Sequence, residues 1–181
     1  MKSSPLIQQM YQHSLAMEMI ELGARPVVMQ HSLDIPYGRL ARLYREKTGE
    51  SLPKGAIPYA EDWFLRWRPN IHSSLFHAIY RKLEAELSLK PAVLLIRSYR
   101  FYLDWQQGFR KQGVNHKHPL LSITRAWILL RYLEGQLLQT SSCKKCGQLF
   151  IDHANSPQQN YVCGLCMPPS RAGSQKMDAV E

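Results

Sequence analysis

Cys143-Lys-Lys-Cys146-Gly147, answered by Cys163-Gly-Leu-Cys166, holds all four cysteines of this chain. Residues 147 to 162 separate the two pairs, so the pattern is C-x₂-C-x₁₆-C-x₂-C, inside the spacing window of a tetrahedral zinc site. Two residues between thiolates let one tight turn present both sulfurs to a single ion, and Gly147 can take the positive φ such a turn often requires. Phe150 and Ile151 after the first pair, and Tyr161 and Val162 before the second, are β-formers expected to build short strands that carry the knuckles together. The expectation is a small zinc ribbon. Cys143, Cys146, Cys163 and Cys166 would hold one Zn²⁺ per chain, and four thiolates closed around it leave no position for water, so the role is structural.

Other uses of the cysteines fit less well. Two disulfides need an oxidising compartment, and the opening Met-Lys-Ser-Ser-Pro shows neither an apolar signal region nor a cleavage site. A redox Cys-x-x-Cys needs a βαβ setting, whereas the residues before Cys143 read as helix. His153 could replace one thiolate, but with four cysteines present it reads as a surface histidine.

Working outward, 181 residues suffice for one substantial core or a core with a small appendage. A hydrophobic share of 45% with 10% aromatic residues argues for a folded globule rather than a disordered chain. The most apolar window, Ala126 to Leu133, contains Arg131 and falls far short of the roughly 20 residues a membrane span needs. A cytoplasmic protein with no membrane partner is expected. The formal net charge of +9 points to a polyanionic partner. Between Arg97 and Arg171, 10 basic residues face 3 acidic ones, so +7 of that charge lies in the C-terminal part; Arg25 to Lys54 adds 6 basic against 3 acidic.

Helical periodicity dominates the first 140 residues. Leu6 to Leu22 reads as an amphipathic helix begun by Pro5 and ended by Gly23, with a Met-rich face suited to core packing or to a partner helix. Arg25 to Leu33 forms a short helix, Asp34-Ile35-Pro36 a turn with Asp34 as N-cap, and Tyr37 to Thr48 a second helix stopped by Gly49. On that second helix Leu40, Leu43 and Tyr44 share one face while Arg39, Arg42 and Arg45 fall roughly opposite, the layout of a recognition helix as well as of a solvated basic face. Ser51 to Asn70, rich in prolines and aromatic rings, is expected to strap the first helices to the rest. Ser73 to Leu89, Pro91 to Trp105 and Pro119 to Gln139 complete the helices, with Gly108 to His118 as a surface loop.

The fold class expected is therefore mainly α: an all-α domain over 1–140 with a helix-turn-helix-like segment at about 25–49, a four-cysteine zinc-ribbon-like module over 141–170, and a tail over 171–181 without structure. No G-x-S-x-G, Walker loop, H-E-x-x-H or dinucleotide fingerprint occurs, and no spacing pairs the carboxylates for acid and base work, so no enzyme is expected.

Leu15-Ala-Met-Glu-Met-Ile-Glu-Leu-Gly-Ala-Arg25, Gly38-Arg-Leu-Ala-Arg-Leu-Tyr-Arg45, Pro53-Lys-Gly, Asp62-Trp-Phe, Leu121-Ser-Ile-Thr-Arg-Ala-Trp127 and the knuckles ending in Cys166-Met-Pro-Pro-Ser-Arg-Ala172 together resemble the FlhC family. The resemblance implies a transcription activator that works with FlhD in a hetero-oligomer of FlhD dimers and FlhC chains. It also implies binding to double-stranded promoter DNA of flagellar and some other operons, where RNA polymerase is recruited. It places zinc on Cys143, Cys146, Cys163 and Cys166. The choice of Arg39, Arg42 and Arg45, with Lys144 and Lys145 beside the metal, as DNA contacts rests on charge and position. A zinc-stapled adaptor that binds only proteins is the alternative.

Overall fold

The computed structural model describes residues 5–110, 119–155 and 161–170. Among them, seven helices precede one two-stranded antiparallel sheet: α1 (Pro5–Glu21), α2 (Pro26–Ser32), α3 (Tyr37–Thr48), α4 (Asp62–Leu65), α5 (Trp67–Glu86), α6 (Pro91–Arg110), α7 (Ile123–Glu134), β1 (Leu138–Ser142) and β2 (Leu149–His153). The fold is mainly helical with the cysteine cluster at its C-terminal end, as the sequence predicts. The expected loop at 108–118 and the tail at 171–181 fall largely or wholly outside the described residues.

Local signals set most boundaries. Pro26 sits at the start of α2 and Pro91 at the start of α6, where a missing N–H costs nothing. Gly49 ends α3 in the left-handed region at φ 76°, its N–H donating to the Arg45 carbonyl at 2.8 Å. Asp34 does not cap α3. Pro36, whose fixed φ prepares the first turn, occupies the N-cap, and the Asp34 backbone N–H instead donates to Gln12 Oε1 at 3.2 Å.

Three helices differ from their expected spans, α6 by running past Trp105 to Arg110, so that residues 108–110 of the expected loop are helical. Instead of waiting for Ser73, α5 starts at Trp67, because Pro69 lies in the first turn, where its absent N–H would have no intrahelical acceptor. Periodicity predicts a last helix from Pro119 to Gln139, but α7 covers only Ile123–Glu134. Ser122 caps its start by accepting the Arg125 N–H at 3.3 Å, and Gln136 at φ 56° reverses the chain after Gly135. Leu138 and Gln139 then enter β1.

The core lies among α1, α2, α5, α6 and α7, with Met19, Phe76, Tyr99, Tyr102 and Leu129 fully buried. The two buried tyrosine hydroxyls are matched: Tyr99 donates to the Leu121 carbonyl at 3.0 Å, and Tyr102 accepts the Leu121 N–H at 3.3 Å while meeting His72 Nδ1 at 2.8 Å; the buried hydroxyls of Ser73 and Ser98 have no partner among the described residues. The 51–70 segment acts as the expected strap. Arg25 Nη2 donates to the carbonyls of Lys54 and Gly55, both at 2.9 Å, Phe64 is buried, and the Arg125 guanidinium stacks 3.9 Å above the Trp63 ring. Its rings pack rather than forming an exposed stacking platform; Tyr59 alone among them stands well out, at 72% exposure.

Candidate metal centre and basic surfaces

The first knuckle is the turn of a hairpin. β1 and β2 pair in antiparallel register from Leu138 opposite His153 to Ser142 opposite Leu149, so residues 143–148 must reverse the chain between them. Cys143 N–H donates to the Gln148 carbonyl at 2.9 Å, Gly147 N–H to the Cys143 carbonyl at 2.8 Å, and Gly147 takes φ 71°, the conformation its sequence position requires. Phe150 and Ile151 are in β2 as expected. Tyr161 and Val162 form no strand; β2 pairs instead with β1, six residues away along the chain. They are nevertheless joined to the first knuckle, through the Lys144 N–H donating to the Tyr161 carbonyl at 2.9 Å.

The second knuckle turns on itself: the N–H groups of Cys166 and Met167 donate to the Cys163 carbonyl at 3.0 and 2.9 Å. Together the two turns bring the ligand atoms of Cys143, Cys146, Cys163 and Cys166 within 4.8 Å of one another. Thiolates placed about 2.3 Å from one tetrahedral ion stand about 3.8 Å apart. Cys146 and Cys163 have their sulfurs at 3.8 Å. Four soft donors at this separation, unlinked by disulfides, could hold one metal ion. His153 stands outside the cluster, its Nδ1 accepting the Asn155 N–H at 3.1 Å.

Hydrogen bonds already divide the sulfurs. The Cys163 amide donates to Cys143 Sγ at 3.3 Å, and this bond above all holds the Cys143 thiol down to about 6. Side-chain hydrogen bonding with Cys146 and then Cys163 pushes Cys166 up to about 12, and burial raises Cys163. Adjacent sulfurs oppose one another's ionisation, and a dication among them removes that opposition.

The centre is built into the helical body. Asn70, only 4% exposed, donates from Nδ2 to the carbonyls of Phe64 at 3.0 Å and Ile151 at 2.7 Å, while its Oδ1 accepts the Tyr161 hydroxyl at 3.2 Å. Ser74 Oγ accepts the Ile151 N–H at 3.0 Å. Trp67 Nε1 donates to the Gly164 carbonyl at 2.9 Å. One face of α5 thus holds β2, Tyr161 and the second knuckle. Leu138 and Ile151 join the main core, whereas Cys143, Phe150 and Cys163, with Tyr161, Val162 and Cys166 against them, form a separate small cluster around the sulfurs. None of Trp67, Asn70 or Ser74 stands out in the sequence, since no local pattern marks a side chain whose partners lie about 80 to 100 positions away.

The basic residues fall into two sets. Lys144 and Lys145 are exposed inside the first knuckle, between two cysteines. Arg39, Arg42 and Arg45 share the exposed arc of α3, whose other side buries Leu40. The first set rides on the hairpin, which packs on α4, α5 and α7; the second is carried by α3, which packs on α1, where Lys47 pairs with Glu21 at 2.7 Å.

A family model described as Flagellar transcriptional activator (FlhC) matches residues 1–179. The Flagellar transcriptional regulator FlhC of Paraburkholderia atlantica is 42% identical over 179 residues, 99% of this chain and 80% of that protein. The protein of the same name from Nitrosomonas eutropha is 42% identical over 181 residues, 100% of this chain and 92% of its own length. That of Proteus mirabilis is 41% identical over 172 residues, covering 95% and 86%.

Proposed function

Since the chain belongs to the FlhC family of flagellar transcriptional activators, we propose that it activates transcription by binding double-stranded promoter DNA in complex with FlhD. The observation that carries this reading is the position of Lys144 and Lys145 on the loop between two clustered cysteines. A metal bound to Cys143, Cys146, Cys163 and Cys166 fixes the shape of a cationic hairpin tip that can meet phosphates. Zinc suits the site, being the ion most at home among four thiolates, and with no open position it supplies a cross-link and no chemistry. The Lys144 amide and the Cys163 amide hold the two knuckles together, while α5 anchors them to the body through Trp67, Asn70 and Ser74.

Base reading is assigned to α3. Arg39, Arg42 and Arg45 present guanidinium groups from one exposed arc of a helix held by its apolar face, an arrangement able to enter a major groove. FlhD is expected on a protein-binding surface, and α1 offers one: Leu6, at 67% exposure, Ile7 and Met10 stand out on the side away from buried Leu15 and Met19. Flagellar operons, some other operons, RNA polymerase as the recruited partner and a cytoplasmic location complete the proposal. No helix among the described residues is long and apolar enough to cross a membrane.

The test is a fluorescence-anisotropy titration of a flagellar-promoter duplex and a scrambled duplex with this chain purified together with FlhD, at fixed physiological salt. Binding to the promoter tighter by about 10³ or more establishes sequence reading. Equal weak binding to both leaves only charge and transfers the lead to a protein-only adaptor, for which the exposed stripe of α1 would then be the central feature.

A further inference from the structure

Behind the helix-turn-helix-like segment opens a cavity of about 280 Å³ that the proposed DNA contacts do not use. Its apolar side is made by Leu15 of α1 and Leu95 of α6, both buried. Opposite stands Trp127 of α7, whose ring lies 5.4 Å from that of His31 in the last turn of α2. Arg131 places its guanidinium 5.8 Å from the Trp127 centroid, and Lys90, just before α6, places its ammonium 5.6 Å from the ring of Tyr11. No Asp or Glu is among the described residues that line the cavity; the nearest acid on α7 is Glu134, which pairs with Arg131 from one turn further on.

We propose that this cavity binds a small amphipathic carboxylate, its ring or chain lying against Trp127, Leu95 and Leu15 and its charge directed at Lys90 and Arg131. Apolar walls with a few converging polar groups are the general form of a small-molecule site, and this volume sits at the small end of that class. A polyphosphate is disfavoured. Among the described residues, two full cations line the space, one of them already shared with Glu134, which balances a single negative charge. Because His31 belongs to α2 and Trp127 to α7, an occupant touching both adds a contact at the end of α2, whose Val28 and Met29 already lie in the core, and α2 leads by a short turn into α3. The cavity thus lies at the end of α2 from which the chain turns into α3, the helix that carries Arg39, Arg42 and Arg45.

The experiment is calorimetric titration of the full-length, metal-loaded chain, without DNA, using indole-3-acetate, 4-hydroxyphenylacetate and octanoate as probes and their uncharged amides as controls. Omitting DNA makes the result independent of whether the chain reads promoters. At least one acid is expected to bind with Kd of about 100 μM or below, as roughly ten non-hydrogen atoms allow, with its amide at least tenfold weaker. Lys90→Glu, an exposed change outside the core, should weaken the acid tenfold or more, and Trp127→Phe should abolish the ligand-induced change in tryptophan emission. No acid binding up to about 1 mM, or binding that ignores both the amide substitution and Lys90→Glu, overturns the proposal; the second outcome marks adventitious apolar binding only.

Discussion

Asn70 on α5 donates its side-chain amide to the carbonyl of Ile151 on β2 at 2.7 Å, across 81 positions of sequence. The same side chain also serves the Phe64 carbonyl and the Tyr161 hydroxyl, so one buried amide joins the helical body, the hairpin and the approach to the second knuckle. Asn70→Ala strands three polar groups in a dry place, and we expect a loss of about 2 to 4 kcal/mol in urea unfolding. An unchanged midpoint and slope would show that water replaces the amide without cost.

Gly164 approaches Trp67 so closely that an added Cβ would stand 2.5 Å from Cδ1 of the indole. Gly164→Ala should therefore push the second knuckle off α5 and cost about 1 to 3 kcal/mol. In a Trp67→Ala background the same substitution should cost less than about 0.5 kcal/mol, because the clash is gone. A double-mutant cycle with no coupling between the two positions would refute the contact.

Tyr99 titrates above its ordinary range, first because burial disfavours the phenolate and then because Tyr102 lies beside it. The sign follows directly. The unfolded chain releases this proton near pH 10 while the folded chain keeps it, so the stabilising difference is complete below about 10 and is lost as pH rises toward the folded value. Each unit of pH in that interval should remove up to about 1.4 kcal/mol, and urea midpoints measured at pH 8 and above 10 should show the decline. Tyr99→Phe should flatten that slope while lowering stability at pH 8 through loss of the bond to the Leu121 carbonyl. The same slope in wild type and variant would place the alkaline transition on other groups.

Lys144 and Lys145 project from the hairpin tip and the α3 arginines from a different element, so their substitutions should separate by kind. Replacing both lysines with Ala should weaken promoter and scrambled duplexes alike, and reduce the salt slope by about 0.9 for each phosphate contact removed. Arg42→Ala should instead change the preference between sites, by about 1 to 3 kcal/mol if it pairs with a base. Competition titrations across salt concentrations read both. A uniform effect of Arg42→Ala would make α3 a phosphate-facing or partner-facing helix.

What the sequence disclosed follows the range of the forces involved. Gly49 and Gly147 were legible because a stop or a tight turn is decided within a few residues, and the cysteine spacing because one ion demands four sulfurs in two turns. The end of α7 was not, since Leu137 and Leu138 suit a helical face and an alternating strand equally, and only Gln136 at positive φ decides between them. Pro69 misled in the same way, reading as a loop residue when it opens α5. Trp67, Asn70, Ser74 and the stacking of Arg125 on Trp63 were invisible because each depends on a partner brought near only by the tertiary fold.

In the proposed function, a metal held by the four cysteines shapes the surface offered to DNA. The sulfurs sit in their own small cluster, while Leu138 and Ile151 belong to the main core, so removing the metal should undo the knuckles and spare the helices. Structural zinc contributes roughly 10 to 16 kcal/mol of apparent binding energy in finger peptides, enough to decide whether so small a module is ordered. The most direct measurement is a promoter-duplex titration of Cys143→Ser, purified with FlhD, alongside its metal content and helical circular dichroism. About one zinc ion should be lost per chain, with helicity largely kept and specific promoter binding abolished. Wild-type promoter affinity in a variant shown to be metal-free would contradict this role for the metal.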